Sequence, residues 1–583
     1  MTATIFSLIL LFTLLCTGSV LCCALGQGEF EDILPLSCAG IVLVAYFSSL
    51  FASPEVGFIN VPVVAGVLLF NALLRGKKNP GFCRRFFTKG FFLFALLFAA
   101  LAVCDYGLRL AGWDEFSHWG DVVKVMLTVN KLGTHPLANS MFPDYPPAMA
   151  LFQYIFQRIY LWQNGGSMAE WLLFFAYQLF MLSLWFPFIK RLDLRKPGGW
   201  VMLGAMLLIP FIFQRNAYSK IYIDSFLATL FGVGFGHIVL DREPKTVDKL
   251  NILSILFLLP LTKDIGIAFA LVLLVLLIIK ERQGGAERSR LWEFGYVAAV
   301  LMPWGLWRLH CVLSSTVRAA GVGSEMAAGN KGGAYALEIL KKFLSAMLRR
   351  PIVNEEALCP SLPPVIVLAG MLLLLFILLR REQEANGNAL GRAVFLALLT
   401  LNIHYCAGTC IGYMFFYPEK EAEVLLGLER YLNMLLMGDA AAALLTALDL
   451  AESGAFEPKR VTAAIAAACL LFTPLPTVGR FVLRHDVAYS DSVHARCEQY
   501  YIPLSELTEG KPCRIFFADD EEDAFEAMLL RTELRPNTME LGAMPDDLSE
   551  YDYVVIFNMS SPPEGMENGG IYAVRDGKIL SEK

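Results

Sequence analysis

Apolar residues come in long blocks in this chain, not at the short spacing of half-buried elements. Blocks at roughly 3–25, 33–52, 57–74, 86–104, 168–189, 200–214, 223–240, 250–281, 291–313, 361–379, 393–415, 432–450 and 461–479 are each candidate membrane spans. The 250–281 block is too long for one crossing at about 1.5 Å per residue. It is broken at Thr262-Lys263-Asp264, so it predicts two helices meeting at a polar turn, and about fourteen spans in all. The pattern predicts an α-helical polytopic membrane protein.

After about residue 484 the pattern changes. Cys513 to Ala518 and Tyr551 to Asn558 predict strands, with an acidic helix near 519–531 between them and a hairpin over Gly570 to Ser581 closing at Asp576-Gly577. This predicts three regions: N-terminal spans at 1–85, a membrane module at 86–480, and a small α/β domain at 484–583. Residues 3–25 lack a basic leader, so they predict a span rather than a cleaved signal.

Composition agrees: 56% of residues are hydrophobic, only 17% are charged, and mean hydropathy is +0.54, all outside the range of soluble domains. The net charge of −6 has no separate basic cluster behind it, which argues against a nucleic-acid partner. The 13 cysteines are mostly single and lie in apolar blocks, with no zinc-ligand spacing. Cys497 and Cys513 lie in the polar tail, as a disulfide or as two free thiols. The acidic run Asp519 to Asp523 reads as a solvated helix start before it reads as a cation site.

Charge sorts the loops. Arg75 to Lys89 carries six basic residues and Lys190 to Lys196 carries four; basic residues also flank spans at Lys280 to Arg290, Arg380-Arg381 and Lys459-Arg460. The positive-inside rule puts these in the cytoplasm. Alternation then puts 105–167, 215–222, Lys263-Asp264, 314–360, 416–431 and the tail on the outer face. Residues 146–162 are apolar enough to cross, but a crossing there would break the rule at Lys190. They predict a helix lying along the outer interface, with its Trp and Tyr at headgroup level.

The outer loops hold most of the unusual polar chemistry. Trp113 to Trp119 packs Asp114, Glu115, Ser117 and His118 between two indoles, with Tyr145-Pro146-Pro147 following. Arg215 to Asp224 includes Lys220, Tyr218 and Tyr222, and Lys263-Asp264 interrupts two apolar helices. Glu429-Arg430-Tyr431 opens the 432–450 span. Each has a plainer reading: Arg215 and Lys220 as headgroup anchors, His118 as an interfacial histidine, Lys263 with Asp264 as a hairpin ion pair, and Asp114-Glu115 as a helix cap. Yet a charge near the centre of a membrane helix costs about 2.5–3.5 kcal/mol on insertion scales, so such groups point to function. Together they offer carboxylates to accept a proton and cations (Arg215, Lys220, Lys263, Arg430) to hold a phosphate. That set suits transfer of a group from a lipid phosphate, where one base suffices because phosphate leaves readily. A glycosidase needs paired carboxylates.

The order of these motifs resembles the multi-spanning glycosyltransferases of the type C fold that use polyprenyl-phosphate sugars. Relatives include protein O-mannosyltransferases, lipid A aminoarabinose transferases and bacterial cell-envelope enzymes. In that family an acidic pair lies in the first outer loop, matched by Asp114-Glu115, and a Tyr-Pro-Pro helix follows, matched by Tyr145-Pro146-Pro147. A Tyr and an Asp recur in the next outer loop, matched by Tyr218, Tyr222 and Asp224. Leu261-Thr262-Lys263-Asp264 matches a Leu-Thr-Lys-acidic break, and Arg430-Tyr431 a late outer-loop motif. The resemblance spans roughly 86–450 and, more loosely, the tail.

It implies an inverting glycosyltransferase of the bacterial plasma membrane, with its site and tail outside the cell. The donor would be a polyprenyl-phosphate sugar and the acceptor an envelope glycan, lipid or protein. It implies catalytic Asp114, supported by Glu115, with Lys263 on the donor phosphate. Arg215, Lys220 and Arg430 would be further phosphate ligands. His118, Tyr145, Tyr218, Tyr222, Asp224, Asp264 and Tyr431 would be supporting residues. No cofactor is implied with certainty: the acidic pair followed by Phe-Ser-His departs from the metal-binding pattern of oligosaccharyltransferases, though His118 or Asp224 could join a divalent-cation site. The 314–360 loop, Gly-rich over 321–333, could close over the site. The alternatives are a flippase or transporter of lipid-linked saccharides, and a polysaccharide polymerase or ligase.

Overall fold

The computed structural model describes residues 2–76, 81–136, 142–240, 244–283, 290–316, 332–352, 356–359, 362–386, 390–508, 511–520 and 525–580. Every predicted apolar block is helical. Helices α1 (Thr2–Leu25), α2 (Phe30–Phe51) and α3 (Pro54–Gly76) form one group, and α4 (Lys89–Asp105) follows, capped by the Thr88 hydroxyl, which accepts the Phe91 N–H at 3.2 Å. After the short α5 (Asp121–Val129) come α6 (Ala148–Asn164), α7 (Trp171–Ser183), α8 (Pro197–Phe213) and α9 (Ile223–Leu240). The bundle continues through α10 (Thr246–Thr262), α11 (Gly266–Gln283), α12 (Arg290–Leu313), α13 (Gly333–Arg349), α14 (Pro364–Asn386), α15 (Leu390–Phe415) and α16 (Leu428–Glu452).

Among the described residues eight helices are long and apolar enough to span a membrane, and nine if Pro458–Phe472 and Leu475–Val482, bent by 79°, count as one. Fourteen full-length spans are therefore not found. The reason is length: α4, α8 and α10 have 17 residues each, about 26 Å of helix, and α7 has 13. Polar turns cut these blocks before they reach the thickness of a hydrocarbon core.

Helix α9 is the centre of the bundle and is buried along its whole length. It runs parallel to α16 because small residues let the two backbones meet. A Cβ at Gly232 would lie 2.3 Å from the Ala441 Cβ, and one at Gly438 would lie 3.0 Å from the Phe231 ring. This contact sets the first turns of both helices at one level, which places Asp224 beside Arg430.

At the opposite end of α16, Arg191 pairs with Asp449 and Glu452, both at 2.6 Å. Lys190 pairs with Asp32 at 2.8 Å in the same basic region, and the Gly90 N–H donates to Glu31 at 2.9 Å. The bundle thus has a basic end and a site end.

Helix α6, expected along the outer interface, has both of its ends at the site end: Tyr145 precedes it near Lys263, Arg158 reaches Glu55 at the start of α3 at 3.3 Å, and Asn164 meets Thr4 and Ser7 in the first turns of α1 at 3.3 and 3.0 Å. In α6, Ala148 to Gln157 are all buried, against α1, α2 and α7. Gln153 and Gln157 donate to the carbonyls of Leu173 (2.9 Å) and Ala169 (2.7 Å) and so lock the α6–α7 hairpin. Trp162, near the end of the helix, is its exposed aromatic. Apolar residues on every face of this segment are the mark of a buried helix.

The tail begins with α17 (His485–Ala495) and α18 (Glu498–Thr508), then β1 (Arg514–Asp519), α19 (Phe525–Glu533), β2 (Thr538–Gly542), β3 (Tyr553–Asn558), β4 (Ile571–Arg575) and β5 (Lys578–Ile579). The sheet order is β2-β1-β3-β4-β5, parallel across β2, β1 and β3 and antiparallel beyond. The predicted strands and hairpin are present, the hairpin turning at Asp576 and Gly577, both with positive φ. Cys497 and Cys513 are free thiols. Within the acidic run, Asp520 accepts the Ser560 N–H at 2.9 Å, and residues 521–523 lie outside the described residues.

Candidate functional site

Four separate stretches of sequence meet at the site end. The turn between α10 and α11 is tight: a Cβ at Gly266 would lie 1.9 Å from the Leu259 carbonyl oxygen, so only glycine fits. That turn presents Lys263, whose ammonium donates to Asp224 Oδ1 at 2.7 Å and lies 5.4 Å from the Tyr431 ring centroid. Arg430 bridges two carboxylates: it donates to Asp114 Oδ2, and its Nε lies 3.6 Å from Asp224 Oδ2. Its guanidinium sits over the rings of Tyr222 (5.0 Å) and Tyr431 (5.3 Å). Asp114, Asp224, Lys263 and Arg430 therefore form one chain of alternating charge, walled by Tyr222 and Tyr431. Burial, and after it the Asp114 carboxylate, pushes the Tyr222 phenol up to about 12, so it stays a neutral donor.

Asp114 and Glu115 are adjacent in sequence but opposite in setting. Asp114 is about 30% exposed, whereas Glu115 is fully enclosed. Glu115 accepts the N–H groups of Ala111 (2.7 Å), Gly112 (2.8 Å) and Ile221 (2.9 Å), which ties the first loop to the second. Burial raises its carboxyl above the ordinary range, and those donors together with Lys220 oppose the rise. A carboxylate spent on three backbone donors positions the loop and does not face a substrate. A single turn of π-helix, Glu115–Trp119, aims the two carboxylates apart.

Other predicted residues divide. His118 packs between Trp119 (4.5 Å), Tyr145 (4.7 Å) and Phe142 (6.1 Å), so it builds the wall behind Asp114. Tyr145 stands within electrostatic reach of Lys263. Lys220 lies 5.9 Å from the Tyr222 ring, at the rim. Two more make their contacts elsewhere. Arg215 is paired with Glu356, which Arg480 (3.0 Å) and Thr477 (2.6 Å) also hold. Tyr218 is buried against Phe211 (4.6 Å) and donates to the Leu207 carbonyl at 2.9 Å.

Asp264 does not face Lys263's partners; it pairs with Arg308 of α12, whose guanidinium also lies 3.8 Å from Asp144. Arg308, Asp144, Tyr405 and Tyr417 belong to the surroundings of the site and were not anticipated. Arg308 carried a signal, as a basic residue set within the apolar run of α12.

The loop bearing Asp114 is also gripped by the tail. Arg535 holds Asp121 through two bonds of 2.8 and 2.9 Å, both side chains being buried. Lys124 pairs with Glu533 at 2.9 Å, and the Thr532 hydroxyl donates to the Phe116 carbonyl at 3.0 Å. Among the described residues no carboxylate–histidine group close enough to share an ion lies at the Asp114 site; Glu170, His494 and Glu533 form such a group under the tail. The 314–360 loop, expected to close over the site, is a helix over Gly333–Arg349, and its residues 317–331 lie outside the described residues.

No protein-family model matches this chain, and no curated protein matches it by sequence.

Proposed function

We propose that the chain is a membrane-embedded inverting glycosyltransferase that takes a sugar from a polyprenyl-phosphate donor. The observation that carries this reading is the convergence of Asp114, Asp224, Lys263 and Arg430 at one end of an apolar bundle. A donor phosphate brings a new acceptor to Lys263 and Arg430, each of which already holds a carboxylate. As Arg430 turns to the phosphate, Asp114 is released to accept a proton. The acceptor hydroxyl then attacks the anomeric carbon and its proton passes to Asp114. The bond from that carbon to the phosphate oxygen breaks, and the lipid phosphate departs with the electron pair, stabilised by Lys263 and Arg430.

Ile265, next to the Lys263 turn, and Leu309, Val312 and Leu313, next to Arg308, are exposed apolar residues against which a lipid chain can lie. The acceptor class is an envelope glycan, lipid or protein, and the site end faces outward, as the basic residues at the other end favour. The flippase reading finds one support, Asp439 in mid-α16, fully buried beside Asn402 at 3.1 Å. A transporter would cluster its charges at that depth, whereas here they gather at one end.

The test incubates purified protein with labelled polyprenyl-phosphate sugars and candidate acceptors. Asp114→Asn is expected to lower transfer by on the order of a thousandfold. Full transfer by that variant overturns the mechanism, and movement of lipid across vesicles without donor consumption favours a flippase.

A further inference from the structure

Polar side chains at the end of α19 grip the loop of Asp114. The Thr532 hydroxyl donates to the Phe116 carbonyl at 3.0 Å. Glu533 holds Lys124 at 2.9 Å and lies 3.3 Å from Nδ1 of His494, whose Nε2 meets the Leu110 carbonyl at 2.9 Å. Just past the helix, Arg535 takes both oxygens of Asp121. Arg531 is the exception. It is only 8% exposed, yet its Nε and Nη2 are enclosed without an acceptor.

A guanidinium carries five N–H donors and keeps its charge in a protein. Burying one without a counter-charge is strongly unfavourable, so an enclosed arginine with idle donors calls for a partner. Its own surroundings do not supply one. Asp121 attracts Arg531 and Arg535 repels it, but both oxygens of Asp121 are already bound by Arg535. Two guanidiniums thus share one carboxylate. The π-turn against which α19 packs adds a second idle donor: the Ser117 hydroxyl, next in sequence to the Phe116 carbonyl that Thr532 holds, is buried without a partner.

We infer that Arg531 is an anion-binding residue, the seat of a phosphate or carboxylate carried by the acceptor of the transfer proposed above; the acceptor's part rests on that reading. Either oxyanion matches the fork of a guanidinium, which can bind two oxygens at once. The donor phosphate has cations of its own in Lys263 and Arg430, so a second anion falls to the second substrate. The position suits that role. From Asp114 to Asp121 the chain runs through the π-turn into α5, on the order of 10 Å of helical rise. An acceptor anchored at Arg531 can therefore present a hydroxyl to Asp114. Filling the site also adds a bond to the helix that grips the loop.

The test uses the full chain in detergent and compares inorganic phosphate with sodium chloride at equal ionic strength. Phosphate is expected to slow amide exchange over residues 525–535 on the order of tenfold. Arg531→Met removes the idle charge, so it is expected to melt above the wild type without phosphate and to show no protection with it. Arg430→Gln is expected to keep the protection, which separates this site from the donor's. In transfer assays, Arg531→Met is expected to raise KM for an acceptor bearing phosphate or carboxylate on the order of tenfold relative to its neutral analogue. A wild type that phosphate does not protect overturns the anion site. So does protection that survives Arg531→Met, or a variant that melts below the wild type without phosphate. Equal KM shifts for charged and neutral acceptors overturn the acceptor's part. Protection at Arg531 in a protein that transfers no sugar keeps the site and overturns the glycosyltransferase reading instead.

Discussion

The two halves of the site are held by different physics. Asp224, Lys263 and Arg430 stand on helix ends fixed by backbone contact, where glycine at 232, 266 and 438 lets chains approach closely. Asp114 stands on a loop fixed by a second domain more than 350 residues further along, through Arg535, Thr532, Glu533 and His494. The cationic half is therefore part of the bundle core. The carboxylate that would act as base is conditional on the tail. Rigid elements hold a site more accurately than loops, and here a loop gains that accuracy from a docked domain.

Separating the tail from the loop is the strongest way to break the contrast. Arg535→Met leaves Asp121 buried without its partner, which costs about 3–5 kcal/mol. The expected outcome is release of residues 108–121 to proteolysis and loss of transfer, with Lys263 and Asp224 still paired. Arg430→Gln strikes where the halves meet. It is expected to lower the transfer rate by on the order of 10²–10³-fold while leaving the thermal unfolding of the tail unchanged, read by calorimetry beside the assay.

Acid separates the halves more gently. Burial raises the carboxyl of Glu533, but Lys124 and His494 outweigh it and hold it well below the ordinary glutamate value of about 4.3. A depressed carboxyl contributes stability that is present above that ordinary value and lost as pH falls through the lower one. Tail docking, followed by amide exchange over 108–120, is thus expected to persist through the usual glutamate range and fail only below it. Glu533→Gln is expected to remove that acid step. The smallest effect is predicted for Tyr218→Phe, which loses one hydrogen bond to Leu207. The expected cost is about 0.5–1.5 kcal/mol in stability, measured by denaturant unfolding, with no change in transfer.

Much of the bundle was legible because long apolar blocks leave little choice but helix. The positions of Asp114, Asp224, Lys263 and Arg430 were legible because charge in such blocks is costly and stands out. Arg215 looked the same in sequence, since nothing local announces its capture by Glu356. Glu115 and Asp114 could not be told apart, because the π-turn that aims them in different directions has no sequence signature. In the tail, β1 and β3 were visible as apolar runs. Strand β2 was not: Thr538-Met539-Glu540 shows no alternation and depends on pairing with β1. The burial of α6 was in principle readable from its all-round apolarity.

The grip of Arg535 on Asp121 also bears on the order of assembly. A chain made from its N-terminus completes the helices through Glu452 before residues 485–535 exist, and domains tend to fold as they emerge. The loop of Asp114 must then wait, its Asp121 and Lys124 without partners, until the last stretch is made and docks. A transferase of the kind proposed would stay silent during its own synthesis and gain its base only once the tail has docked.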